Sequence, residues 1–236
     1  MIFFFPGAEA SIDWIGLLFQ FLTPAAVPFS AAWAGAYFAF RFQNQKEEER
    51  KTTSQIEVIN STTITLSQMH KELSGYKRQI ITPHLSKPLM AFTMVPSDFG
   101  DLSHLVLHSD SLSFLCETDH FQVPSNVGYT YILFRRALNM IVQRTNHHVN
   151  VIQPALAKRD EPRAPITDEL IDELLTADQR GLQEGLTRGM VQYVDDVLKE
   201  IDTCAELLLA AGIALYEKDR VVTYETKYDQ DKTDDG

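Results

Sequence analysis

From Trp14 to Phe40 the chain carries no Asp, Glu, Lys or Arg, and Asp13 and Arg41 are the charges that bound this run. A helix needs about 20 apolar residues to cross a hydrocarbon core. The pattern therefore predicts a transmembrane helix over 14–41, preceded by an extracytoplasmic N-terminus at 1–13. A cleaved secretory leader fits poorly. Residues 1–12 hold no Lys or Arg, and the run is longer than a leader's apolar stretch of about 7–15 residues. A buried core helix is the lesser reading, because water-facing helices seldom run this long without charge. Pro24 and Pro28 lie inside the run. Membrane helices tolerate proline as a kink, so the segment reads as a kinked full span. The alternative is a re-entrant arrangement, with an interfacial piece at 12–22 and a shorter span at 24–41.

The flanks give this segment a direction. Glu9 and Asp13 precede it, whereas Arg41, Lys46, Arg50 and Lys51 follow it. Basic residues stay on the cytoplasmic side of a span, and acidic ones such as Glu47, Glu48 and Glu49 count little in that rule. The N-terminus is thus expected outside and the C-terminal bulk in the cytoplasm. Ala31, Gly35 and Ala39 repeat small residues at intervals of four, a spacing that lets membrane helices approach closely. They are the candidate helix-contact face.

Beyond the span the pattern becomes helical and polar. Residues 42–82 predict a juxtamembrane helix with Ile59, Leu66, Leu73 and Ile80 spaced by sevens, and Thr62, Met69 and Tyr76 between them. Such a stripe suits either a helix of an intramolecular bundle or an oligomeric coiled coil. Polar Thr62 favours the bundle. Pro83 ends the helix or begins a bend. Residues 83–220 predict a cytoplasmic helical domain. Its irregular opening carries Pro83, Pro88, Pro96 and Pro124. A helix follows from Ser125 or Asn126 to about Pro154, with Arg135, Arg136 and Arg144 as its charges. Thr167 is the expected N-cap of the next helix, with Asp168 and Glu169 at the positive end of its dipole. Helical periodicity then runs to about Lys218, with a break near Ala177 or Gly181. Gly181, Gly185 and Gly189 form a smooth stripe, the candidate site of a close helix crossing. The tail at 221–236 starts with strand-like residues and ends acidic. The expected fold class is all-α: an N-terminal transmembrane helix, a long juxtamembrane helix and a cytoplasmic helical bundle.

Composition narrows the function classes. The net charge is −11, which disfavours a nucleic-acid binder, since phosphate recognition relies on clustered Lys and Arg. Hydrophobic residues make up 44% and charged residues 22% of the chain, compatible with a packed core. Cys116 and Cys204 lack paired-ligand spacing, so reduced thiols are expected. The chain contains no GxxxxGK[ST], GxGxxG, HExxH, GxSxG or CxxC, so common catalytic and nucleotide-binding motifs are missing. His104 and His108 would share a face if helical and could then approach a transition metal. His147 and His148 are adjacent and point about 100° apart on a helix, a poor chelate. Cys116 precedes His120 by four, but Phe114 and Leu115 suggest a buried, unreactive thiol. No cofactor, metal or catalytic residue is assigned.

Three stretches carry a resemblance: "AYFAFRFQNQKEEER" after the apolar run, "DSLSFL" in the middle and "TNHHVNVIQPAL" on the central helix. With them the layout resembles a broad group of uncharacterised bacterial membrane proteins having one N-terminal span and a helical cytoplasmic part. The layout is also similar, remotely, to phage abortive-infection membrane proteins. The first likeness implies the bacterial inner membrane, and the second a role in stress response or phage defence. The expected function is a membrane-tethered helical interaction or scaffold protein, not an enzyme. Its partners are the lipid membrane and a protein partner or a second copy. Two alternatives stay open: an accessory subunit of a larger membrane complex, or a membrane-anchored enzyme with a site near His104, His108 and Cys116.

Overall fold

The computed structural model describes residues 14–97, 100, 102–159 and 165–223, with the helical backbone alone at 14–29 and 31. Among the described residues the protein is all-helical, with no strand. Six α-helices follow in order: α1 (Trp14–Tyr76), α2 (Met90–Thr93), α3 (Val123–His147), α4 (Gln153–Leu156), α5 (Asp168–Leu174) and α6 (Ala177–Leu215). The chain divides into two compact units, 1–53 and 54–236.

Within 14–53 the chain is one uninterrupted α-helical stretch of α1, through both Pro24 and Pro28. Among the described residues no helix is long and apolar enough to cross a membrane. Most of the predicted span at 14–41 falls on residues whose side chains lie outside the described set. The tail from 224 onward lies outside it too.

The second unit is built around α6. Residues Gln183, Thr187, Met190, Val194, Val197, Ile201, Cys204 and Leu208 are buried along it, at the spacing of three and four that aligns side chains on one helix face. The part of α1 within this unit, residues 54–76, runs antiparallel to α6. Tyr216 Oη donates to Gln55 Oε1 at 2.9 Å, His70 lies 3.5 Å from Asp202, and Lys77 Nζ lies 2.8 Å from Asp195. The α3 helix is antiparallel to α6 as well, since Met140 meets Gly189 and His147 meets Gln183. Ile59, Leu66, Met69 and Leu73 are wholly buried in this three-helix core, with Phe134, Ile141, Val194 and Ile201. Burying each such side chain stabilises the fold by about 1.5–3 kcal/mol.

Helix ends follow local chemistry. Thr167 accepts from Leu170 N and caps α5. The break before α6 falls at Thr176, which forms a capping box with Gln179: each side chain bonds the other's backbone N–H, at 3.3 and 3.0 Å. Such a box satisfies two amides that the first helical turn leaves without partners. Arg180 then clasps Asp168, Asp172 and Glu184, fixing α5 to α6.

The bends are π-helical. Lys77–Ile81 ends α1 in a π-turn, and Thr82–His84 carries Pro83 into a 3₁₀ turn. A second π-turn, His148–Ile152, links α3 to α4. The α3 helix starts at Val123, slightly before the expected Ser125. At the far end Lys218–Arg220 is a 3₁₀ turn, and residues 221–223 after it form no strand, although the sequence suggested one at the start of the tail. Asn60 fastens this turn: its Nδ2 donates to Arg220 O at 3.0 Å and its Oδ1 accepts from Val222 N at 2.9 Å. Gly212 makes room for it, because a Cβ there would stand 2.9 Å from Val221.

Candidate functional site

A second apolar cluster unites Ala91, Phe92, Ile152, Leu156, Ile171 and Leu175, apart from the main core. Between the two clusters lies a buried polar layer. Arg144 is fully buried, on the same α3 stripe as Phe134, Ala137 and Ile141. Its guanidinium donates to three backbone carbonyls: Ala91 O at 3.3 Å, Val95 O at 3.1 Å, and Met94 O. No carboxylate among the described residues pairs with it. The cation is instead stabilised by the carbonyl dipoles at the end of α2, acceptors a helix C-terminus leaves open. Burial pulls its pKa below the ordinary guanidinium value, while Tyr76 opposes that shift.

Gln183 continues the layer from α6. Its Nε2 donates to Ala91 O at 2.9 Å and lies 3.3 Å from His148 Nδ1, and its Oε1 lies 2.9 Å from His147 Nδ1. The amide is a donor, so His148 Nδ1 accepts and the imidazole is neutral there. Burial, with Arg144 and His147 nearby, lowers the His148 pKa to about 4, against the pull of Ala91 O. Thr145 Oγ1 donates to Ser97 O at 2.9 Å. Residues 91–97 are thus tied to α3 and α6 chiefly through side-chain donors. Leu89, just before α2, sits at φ 57°, a left-handed conformation that costs a non-glycine residue energy and persists only where its surroundings enforce it.

On the outer side of this braced segment runs an open groove of about 650 Å³. One wall is Leu89, Met90, Ala91 and Phe92; the other is the α6 face from Glu184 to Lys199, including Thr187, Arg188, Val191, Asp195 and Asp196. A volume of this size is that of a small-molecule site, commonly about 300–1,000 Å³.

The residues singled out from the sequence distribute differently. Ala31's side chain is outside the described set, while Gly35 and Ala39 are exposed. Ile59, Leu66 and Leu73 are buried within the chain's own bundle, and Ile80 is half-buried beside it. A Cβ at Gly181 or Gly185 would meet nothing within 4 Å; at Gly189 it would stand 2.8 Å from Met140 Cε. Only Gly189 of the three lies at a tight crossing. His104 and His108 are exposed in a non-helical stretch, so the helical spacing that would align them is not realised. Cys116 is exposed, correcting the expectation of a buried thiol; Cys204 is the buried one, its pKa raised to about 11 chiefly by burial. None of His104, His108 and Cys116 lines the groove, and no group of metal-ligating residues occurs among the described residues.

Fold and site together define a helical bundle with a braced groove and a helical N-terminal extension. No protein family, curated protein or solved structure compared with the chain matches it.

Proposed function

We propose that the protein is a helical interaction protein held at a lipid membrane by the N-terminal part of α1, with the unit beyond residue 53 as its working domain. One observation carries this reading. Trp33, Tyr37, Phe38, Phe40 and Phe42 are 65%, 49%, 66%, 64% and 60% exposed on ten residues of one helix. Exposed aromatic surface of that density marks an interaction site, and Trp and Tyr are favoured at membrane interfaces. Trp33 stacks on Tyr37 with centroids 5.8 Å apart, and Lys46 Nζ sits 4.6 Å above the Phe42 ring. Arg41, Lys46, Arg50 and Lys51 follow the aromatic stretch, which favours a cytoplasmic placement of the domain. The layout likeness adds the bacterial inner membrane and a role in stress response or phage defence. Self-association or a protein partner would then act through the domain.

Vesicle flotation of the full chain tests this reading. The wild-type chain is expected to float with lipid vesicles, and the triple variant Trp33→Glu, Phe38→Glu, Phe40→Glu to stay behind. A wild-type chain that remains in the dense fraction overturns membrane attachment. Flotation of both proteins removes the aromatic segment as its cause.

A further inference from the structure

The groove beside α2 is unusual in its charge. The chain as a whole carries −11, yet one of the three carboxylates in the groove has a cation to itself and a second shares one. Asp195 pairs with Lys77 at 2.8 Å, whereas Glu184 shares Arg180, 3.0 Å away, with Asp168 and Asp172. Arg188 and Lys199 line the same groove, and neither side chain takes part in an ion pair or hydrogen bond among the described residues. Asp196, and Glu184 in part, oppose them. The lining also holds a polar point at depth: Thr187 is 3% exposed, and its buried Oγ1 has no hydrogen-bond partner among the described residues. A buried hydroxyl without a partner is destabilising, and a ligand atom that pairs with it relieves that cost. The apolar part of the contact surface comes from Met90, Phe92 and Val191, and Gln192 is a further polar residue of the lining.

From these features we infer that the groove binds an amphipathic organic acid of the fatty-acid kind. Its apolar chain lies along Val191 and the Met90–Phe92 wall. Its carboxylate pairs with Arg188 and accepts a hydrogen bond from the Thr187 hydroxyl. Charge and shape divide the work: the apolar wall holds the chain, and the unpaired cation selects the acid over an amine or an alcohol. The braced backbone at 91–97 keeps the wall in place before the ligand arrives, so little ordering is required on binding. This site is independent of the aromatic N-terminal segment and of membrane attachment.

The test is fluorescence titration of the full chain with a dansyl-labelled fatty acid, displaced by decanoate or by decyltrimethylammonium. Binding is expected to be saturable, displaced by decanoate and resistant to decyltrimethylammonium. Val191→Trp fills the groove and should abolish this component, leaving only probe held by the aromatic segment. Arg188→Gln should weaken binding about tenfold, the loss of one charge-assisted hydrogen bond. Asp196→Asn should tighten it, and a destabilised fold would not produce that gain. Unchanged binding in Val191→Trp, or equal displacement by the cationic amphiphile, overturns the proposal.

Discussion

Replacing Arg144 with methionine removes the three-way brace on residues 91–95 while roughly keeping the side chain's length. Ala91 O retains a donor in Gln183 Nε2, but Met94 O and Val95 O lose theirs. A buried acceptor left without a partner costs about 1–3 kcal/mol. Met94 is fully buried, whereas Val95 is exposed enough for water to replace part of its bond, so the lost bonding amounts to about 2–4 kcal/mol. Removing a buried cation that has no counter-charge among the described residues returns part of that. The net destabilisation is expected near 2 kcal/mol. Denaturant titration of the full chain would read it as a lower midpoint at unchanged slope, and amide exchange should accelerate at Phe92–Val95. Arg144→Lys keeps the charge but not the planar fork, so it should recover only part of the loss. A methionine variant as stable as the wild type, with unaltered exchange, would refute the idea that the guanidinium holds this segment.

Other consequences are open to measurement. His148 stays neutral in the native state down to about pH 4, whereas unfolded it protonates near its ordinary value of 6.5. Its contribution is complete above pH 6.5 and is lost as pH falls toward 4, because the unfolded chain binds the proton first. The loss amounts to at most about 3 kcal/mol, and His148→Gln should flatten that part of the stability–pH curve. An identical slope in the variant would show that other groups titrate there. Gly181→Ala and Gly185→Ala should each raise stability, by up to about 1 kcal/mol from helix propensity. Gly189→Ala should gain less, since Met140 must move aside; thermal unfolding of the three variants ranks them. Asn60→Ala should release the 218–222 turn from α1, raising protease cleavage there at a stability loss of about 1 kcal/mol.

The bundle was legible because its helices obey a simple period. The spacing of Ile59, Leu66 and Leu73 marks a buried face, and Thr167 marks a helix start. The polar layer was harder to see because Arg144, His148 and Gln183 look like ordinary polar residues of helix surfaces. Their phase was the available signal. Arg144 and His148 continue the stripe of Phe134, Ala137 and Ile141, and Gln183 continues that of Thr187, Met190 and Val194. Polar residues at core phase point to a built network rather than to solvent. The groove had no such signal, because it forms between Met90–Phe92 and α6, which are far apart in sequence. His104 and His108 would share a face only on a helix, and the chain between them is not helical.

The chain has two tryptophans, Trp14 and Trp33, both in the N-terminal part of α1. Intrinsic fluorescence therefore reports on the proposed membrane segment without a label. With lipid vesicles present, the emission of a Trp14→Phe chain, which reads Trp33 alone, should shift to the blue. Lipids brominated along their acyl chains should then quench it. Emission that stays at the wavelength of water-exposed tryptophan, with no quenching by brominated lipid, would contradict attachment of this helix to the membrane.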